Sequence, residues 1–80
     1  MKVYCMKVDQ LKTKENKVFY KAFCYSDYGF TFDLFVDKKY YDYLFDLISE
    51  VGFVDISNDI DLRYDRKLDK LVYYLKNNIN

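Results

Sequence analysis

Eighty residues are enough for one domain and too few for two, so the chain reads as a single small α+β unit over residues 1–80. Half of it is apolar and a fifth aromatic, too greasy for a disordered segment. Thirteen basic and thirteen acidic residues cancel, which argues against strong non-specific DNA binding, a process built on many phosphate neutralisations.

The neutral total hides an uneven distribution. Residues 1–40 hold eight Lys against five acids, and residues 41–80 hold five Lys or Arg against eight acids. Met1-Lys2 is not followed by the apolar h-region of a signal peptide, and no apolar run nears the roughly 20 residues of a membrane span. Two Cys without a secretory signal fit free thiols in a reducing compartment. The expectation is a cytoplasmic protein. Phe, Tyr, Ile, Asn and Lys, all with AT-rich codons, make up 37 of the 80 residues. That skew points to an AT-rich genome, such as a low-GC bacterium, its phages or its plasmids.

Residues 2–11 fit a strand, with Tyr4, Met6 and Val8 on one face and Val3 and Cys5 on the other. Lys12 to Lys17 is polar and turn-like, and residues 18–25 form a second strand. A loop centred between Lys14 and Glu15 pairs residues whose numbers sum to 29, which sets Cys5 opposite Cys24. The reading taken is two small buried apolar residues in a reduced hairpin; the alternative is a redox-sensing disulfide, which needs restrictive geometry. Ser26-Asp27-Tyr28-Gly29 supplies a turn. Phe30, Phe32, Leu34 and Val36 then alternate with Thr31, Asp33 and Phe35, the pattern of a half-buried third strand.

Asp37 suits the N-cap of a helix. Tyr40, Leu44, Leu47 and Val51 share one side of the helical wheel, Tyr41 and Ile48 widen the stripe, and Gly52 fits the left-handed stop. Next, Val54, Ile56, Ile60, Leu62 and Tyr64 share one parity and read as a strand broken at Ser57-Asn58. Residues 65–78 satisfy two patterns. Leu71, Tyr73 and Leu75 alternate as in a strand, whereas Leu68, Leu71, Val72, Leu75 and Ile79 cluster as in a helix that Asp65 caps. The helix is the reading taken here.

The resulting expectation is a four-stranded, mostly antiparallel sheet with two helices on one face, in the order β-β-β-α-β-α. A right-handed crossover makes the third and fourth strands parallel, and the fourth lies beside the first, giving order 4-1-2-3. If residues 65–78 form a strand instead, the alternative is a small five-stranded barrel resembling an OB-fold.

No catalytic set stands out. There is no His, the commonest general base and metal ligand. Ser26, Ser49 and Ser57 lack a nucleophile context, and the two Gly are isolated. Asp55, Ser57, Asp59 and Asp61 have the spacing of a calcium loop, but Ile60 stands where Gly is required and Arg66 where a bidentate Glu is required. The chain is read as non-enzymatic, with no metal and no cofactor.

Two binding surfaces remain. Between Lys39 and Arg63 every charged residue is acidic: Asp42, Asp46, Glu50, Asp55, Asp59 and Asp61. On a strand, Asp residues two apart stand about 6.6–6.8 Å apart, and such a row imitates a nucleic-acid backbone and fits a basic groove on another protein. The leading expectation is therefore a small protein-binding inhibitor of a host factor, a nucleic-acid-binding protein being one such partner, acting through an acidic helix-strand surface. Inhibitors carried by phages and mobile elements, including anti-CRISPR proteins, share this general character without a common motif. The alternative is single-stranded nucleic-acid binding by the first hairpin, with Lys7, Lys12, Lys14, Lys17 and Lys21 beside Tyr20 and Tyr25. A homodimer through surplus aromatics such as Phe35 and Phe45 is compatible with either.

Overall fold

A computed structural model describes residues 2–76 of the chain. It is an α+β fold in which one four-stranded antiparallel sheet carries one helix, followed by a separate two-stranded hairpin. The elements are β1 (Val3–Lys12), β2 (Val18–Ser26), β3 (Thr31–Val36), α1 (Lys38–Val51), β4 (Val54–Asp55), β5 (Ile60–Asp65) and β6 (Lys70–Leu75). The large sheet has the order β3-β2-β1-β4, the 4-1-2-3 arrangement anticipated above.

The first hairpin turns on Thr13. Its hydroxyl accepts from the amides of Glu15 (3.3 Å) and Lys17 (3.2 Å), and Asn16 takes the left-handed backbone at φ 65°. Val3, Tyr4 and Cys5 pair with Ser26, Tyr25 and Cys24, as the sum of 29 requires. A β-bulge then leaves Met6 without a partner, and from Lys7↔Phe23 to Lys12↔Val18 the sum is 30. The bulge corrects the facing of β1. Val8 joins Val3 and Cys5 against the core, where strict alternation had placed it with Tyr4 and Met6.

Asp37 caps α1 as expected, its carboxylate accepting from the Tyr40 amide at 2.8 Å. Gly52 ends the helix at φ 94° and donates to the Ile48 carbonyl. Fourteen residues of helix span about 21 Å. They carry the chain from Val36, level with Tyr20 and Gln10, to Val54, level with Cys5, a descent of about 17 Å along β1. Only Gly52 and Phe53 separate helix from strand, and the chain is not reversed there. β4 therefore continues the same way and pairs antiparallel with β1, which makes it antiparallel to β3 as well. The expected parallel crossover is not formed.

The core lies between the sheet and α1. It holds Val3, Cys5, Ala22, Cys24, Leu34 and Val36 from the sheet, Tyr40 and Leu44 from the helix, and Val54, Ile56 and Ile60 from the connection beyond. The helical stripe is narrower than its sequence suggests. Leu47 and Ile48 are half-buried and Val51 is 62% exposed, because β4, which underlies that end of the helix, is only two residues long.

The second expected helix is not formed among the described residues. Residues 65–69 form a turn in which the Asp65 carboxylate accepts from the amides of Lys67 (2.8 Å) and Leu68 (3.1 Å), and Asp69 takes φ 54°. Asp65 thus behaves locally like a helix cap, but the left-handed Asp69 sends the chain back as β6. A helix here would have left the backbone groups of β5 unpaired, whereas the hairpin satisfies them over six residue pairs. Residues 77 and 78 of the expected helix, and Ile79 of its stripe, lie outside the described residues. The strand alternative had the right secondary structure for residues 70–75, yet β6 pairs with β5 in its own sheet and closes no barrel.

Candidate protein-binding surface

The six acidic groups do not form one surface. Asp42, Asp46 and Glu50 lie exposed on α1, where Asp42 is held 2.9 Å from the Lys38 ammonium. Asp55 sits between buried Val54 and Ile56 and is paired with Tyr4, so it points to the sheet face opposite the helix. There it accepts from the Ser57 hydroxyl (2.6 Å) and amide (2.9 Å), with the Lys2 ammonium 3.6 Å away. The Ser57 hydroxyl bond, followed by the amide, holds the Asp55 carboxyl below its ordinary range. Asp59 faces inward and accepts from the Tyr40 hydroxyl at 2.9 Å. Burial first, then this bond, pushes the Tyr40 hydroxyl far above its ordinary range. Asp61 is exposed on β5. One of the six therefore braces the core, and another stands across the sheet from the helical three.

The Lys- and Tyr-rich set divides in the same way. Tyr20 faces the helix, its ring centroid 4.8 Å from that of Tyr41. Tyr25 lies on the opposite face, stacked on Tyr4 at 5.3 Å. Lys12, Lys14 and Lys17 are exposed around the hairpin loop. Lys7 and Lys21 lie farther along the sheet, each beside a carboxylate: Lys7 with Asp9 at 3.7 Å and Lys21 with Asp33 at 3.6 Å.

What the fold does assemble is the sheet face away from α1. The residues between core positions converge there: Tyr4 from β1, Phe23 and Tyr25 from β2, Phe35 from β3, and Phe53 just before β4. Phe53 meets Tyr4 edge-on at 5.9 Å, and Phe19 approaches Phe35 at 6.1 Å. Phe35 is 67% exposed, and Phe23, Phe53 and the bulged Met6 are exposed as well. Three pairs of opposite charge share this face: Lys2–Asp55 on its β4 side, and Lys7–Asp9 and Lys21–Asp33 between the Phe19–Phe35 contact and the Tyr4–Tyr25–Phe53 group. Monomeric proteins rarely leave so apolar a face in water. Phe23 and Phe53 were missed as site residues because alternation alone cannot say which face of a sheet the helix will cover. The available signal was that β1, β2 and β3 carry large apolar residues at both parities.

A second apolar feature lies at the β3 edge. The hairpin presents one continuous apolar face, with Ile60, Leu62 and Tyr64 opposite Leu75, Tyr73 and Leu71. Its base packs on the sheet, Tyr73 stacking on Phe32 at 4.2 Å. Its outer half does not, and Leu71 is 61% exposed. Between β3 and β6 runs an open groove of about 680 Å³ lined chiefly by Phe30, Phe32, Phe35, Leu71 and Tyr73.

These surfaces offer ring stacking, apolar contact and exchange of ion pairs. Among the described residues no three metal-ligating side chains come together, and no helix is long and apolar enough to cross a membrane. Comparison with protein-family models, with curated proteins and with solved structures found no match to this chain.

Proposed function

We propose that the chain is a small non-enzymatic protein-binding module, an inhibitor of a host factor of the kind carried by phages and mobile elements, and that it docks through the sheet face opposite α1. The observation that carries this reading is the ring cluster of Tyr4, Tyr25 and Phe53 with exposed Phe23 on the same face, interleaved with three opposite-charge pairs. Protein interfaces are enriched in aromatic residues of this kind, which anchor binding while polar groups supply complementarity. The partner that fits is a folded protein presenting an apolar ridge between charges of both signs. The inhibitor role is supported by the AT-biased composition and the absence of a recognisable catalytic set in the sequence. The acids on α1, Asp42, Asp46 and Glu50, contribute long-range attraction to a basic partner.

Single-stranded nucleic acid is the second reading, favoured by the stacked Tyr4–Tyr25 pair on the two central strands. It ranks lower because every lysine of that face stands within 3.7 Å of a carboxylate, so a phosphate must displace an aspartate to reach it. The deciding experiment uses Phe23→Asp and Phe53→Asp together, with Asp46→Lys and Glu50→Lys as the helix-side control. Co-purification of a specific host protein with the wild type and the helix variant, but not with the sheet variant, is the expected result. Loss with the helix variant alone would return the site to the acidic helix. Tight binding of single-stranded DNA by the wild type, weakening steeply with salt, would make nucleic acid the ligand.

A further inference from the structure

The two cysteines are the chemical groups that the docking surface leaves unused. Both are fully buried, free, and directly opposite on neighbouring strands. The kind of pairing they make follows from bonds on either side. The Ile56 amide donates to the Val3 carbonyl at 2.9 Å, so the backbone of Val3 faces β4, and alternation turns that of Cys5 the same way. The Ser26 amide donates to the Phe30 carbonyl at 2.9 Å, so the backbones of Ser26 and Cys24 face β3. Cys5 and Cys24 are therefore a non-hydrogen-bonded pair, the kind in which side chains approach most closely, with Cα atoms about 4.5 Å apart. A disulfide accepts Cα separations of about 4.4–6.8 Å. Both side chains point to the same face of the sheet.

We propose that Cys5 and Cys24 form a redox switch in which hydrogen peroxide closes a disulfide within the folded chain, stapling β1 to β2 directly behind the Tyr4–Tyr25 stack. The proposal does not depend on what docks there. In the first step the Cys5 thiolate attacks a peroxide oxygen, the O–O bond breaks, and the hydroxide released takes up a proton to leave as water. Cys5 is then a sulfenic acid. In the second step the Cys24 sulfur attacks the Cys5 sulfur, the S–O bond breaks, and the hydroxide leaves with the Cys24 proton as a second water. Two thiols and one peroxide thus give one disulfide and two waters.

Cys5 lies beside the bulge and the short β4, and its bond with the neighbouring Cys24 thiol holds it below the usual thiol range. Access is needed because both sulfurs are covered. The shortest ladder of the sheet is on the β4 side of β1, where Tyr4 and Cys5 are paired, the Ile56 amide bonds Val3, and the bulge at Met6 follows at once. Local opening of so short a strand admits a molecule as small as peroxide without global unfolding.

The test treats the native protein with hydrogen peroxide and follows mass, free thiols and melting. The expected product is a monomer lighter by two hydrogen atoms, with no free thiol, a peptide linking Cys5 to Cys24, full reversal by dithiothreitol, and a melting temperature above that of the reduced form. Cys24→Ser under the same treatment should stop at a sulfenic acid on Cys5, trapped by dimedone. The switch is overturned if the native chain keeps both thiols, gains oxygen instead of losing hydrogen, links only between chains, or closes the bond only in denaturant. A lower melting temperature after oxidation would equally refute it.

Discussion

Tyr40 and Ser57 each use a polar atom to tie separate elements together. Tyr40 fills the core with its ring and reaches Asp59 with its hydroxyl. Removing one partner of a bond to a charged group costs about 1.5–3 kcal/mol. Tyr40→Phe should therefore lower the urea midpoint with an unchanged slope, and a midpoint equal to wild type would show the bond to be idle. The Ser57 hydroxyl accepts from the Val3 amide at 2.8 Å while donating to Asp55. Ser57→Ala leaves that amide without its acceptor and should cost about 1–3 kcal/mol, read in the same titration. Asp55 adds a pH dependence. Its carboxyl is lowered in the folded state, by Ser57 first, so its stabilisation is complete above the ordinary carboxylate range. It is lost as pH falls through that range and the lowered native value. Asp55→Asn should flatten the acid side of a stability–pH profile, and an unchanged slope there would assign acid sensitivity elsewhere. None of these bonds was legible in the sequence. Asp55 and Asp59 alternate along the chain like any solvated acids, and only the chain break at Ser57-Asn58 turns the second one inward.

At the scale of elements, the first hairpin, third strand and helix were legible because local pattern and tertiary need agree there. Asp37 caps, Gly52 stops, and the apolar stripe meets the sheet. Asp37→Ala should cost about 0.5–2 kcal/mol, and Leu44→Ala, at a fully buried position, about 2–5 kcal/mol. Calorimetry that ranked them the other way would mean that packing of the helix matters less than its first turn. The last segment was misread because Leu68, Leu71, Val72 and Leu75 fit a helical stripe as well as a strand. What decided between them was a partner: β5 supplies an apolar face in register with β6, and such pairing is not visible in a window of one segment. The bulge at Met6 was equally hidden, since an unpaired residue leaves no mark on composition.

For the whole molecule, net neutrality is matched by pairing at short range on the proposed docking face, where lysines and aspartates neutralise one another. Binding through that face should depend weakly on salt, and a steep fall in affinity between low and moderate ionic strength would instead implicate the loop lysines or the helix acids. Stability is also uneven across the molecule. β1 and β2 surround the core, whereas the outer half of the β5–β6 hairpin exposes Leu62, Tyr64, Leu68 and Leu71. Amide exchange should be fastest in Leu62–Leu71 and slowest in Ala22 and Cys24. Uniform protection would show that the hairpin is clamped by contacts beyond its base.

The odd residue in β1 gives the chain one position of slack. Because Met6 has no partner across the hairpin, a version of the protein lacking it could close the ladder on a single register while Val3, Cys5 and Val8 kept their inward facing. Shortening the same strand at Asp9 would instead turn Gln10 and Leu11 over, exchanging wet and dry sides at that end of the sheet. Length variation in this strand should therefore be tolerated at one site and rejected three residues later.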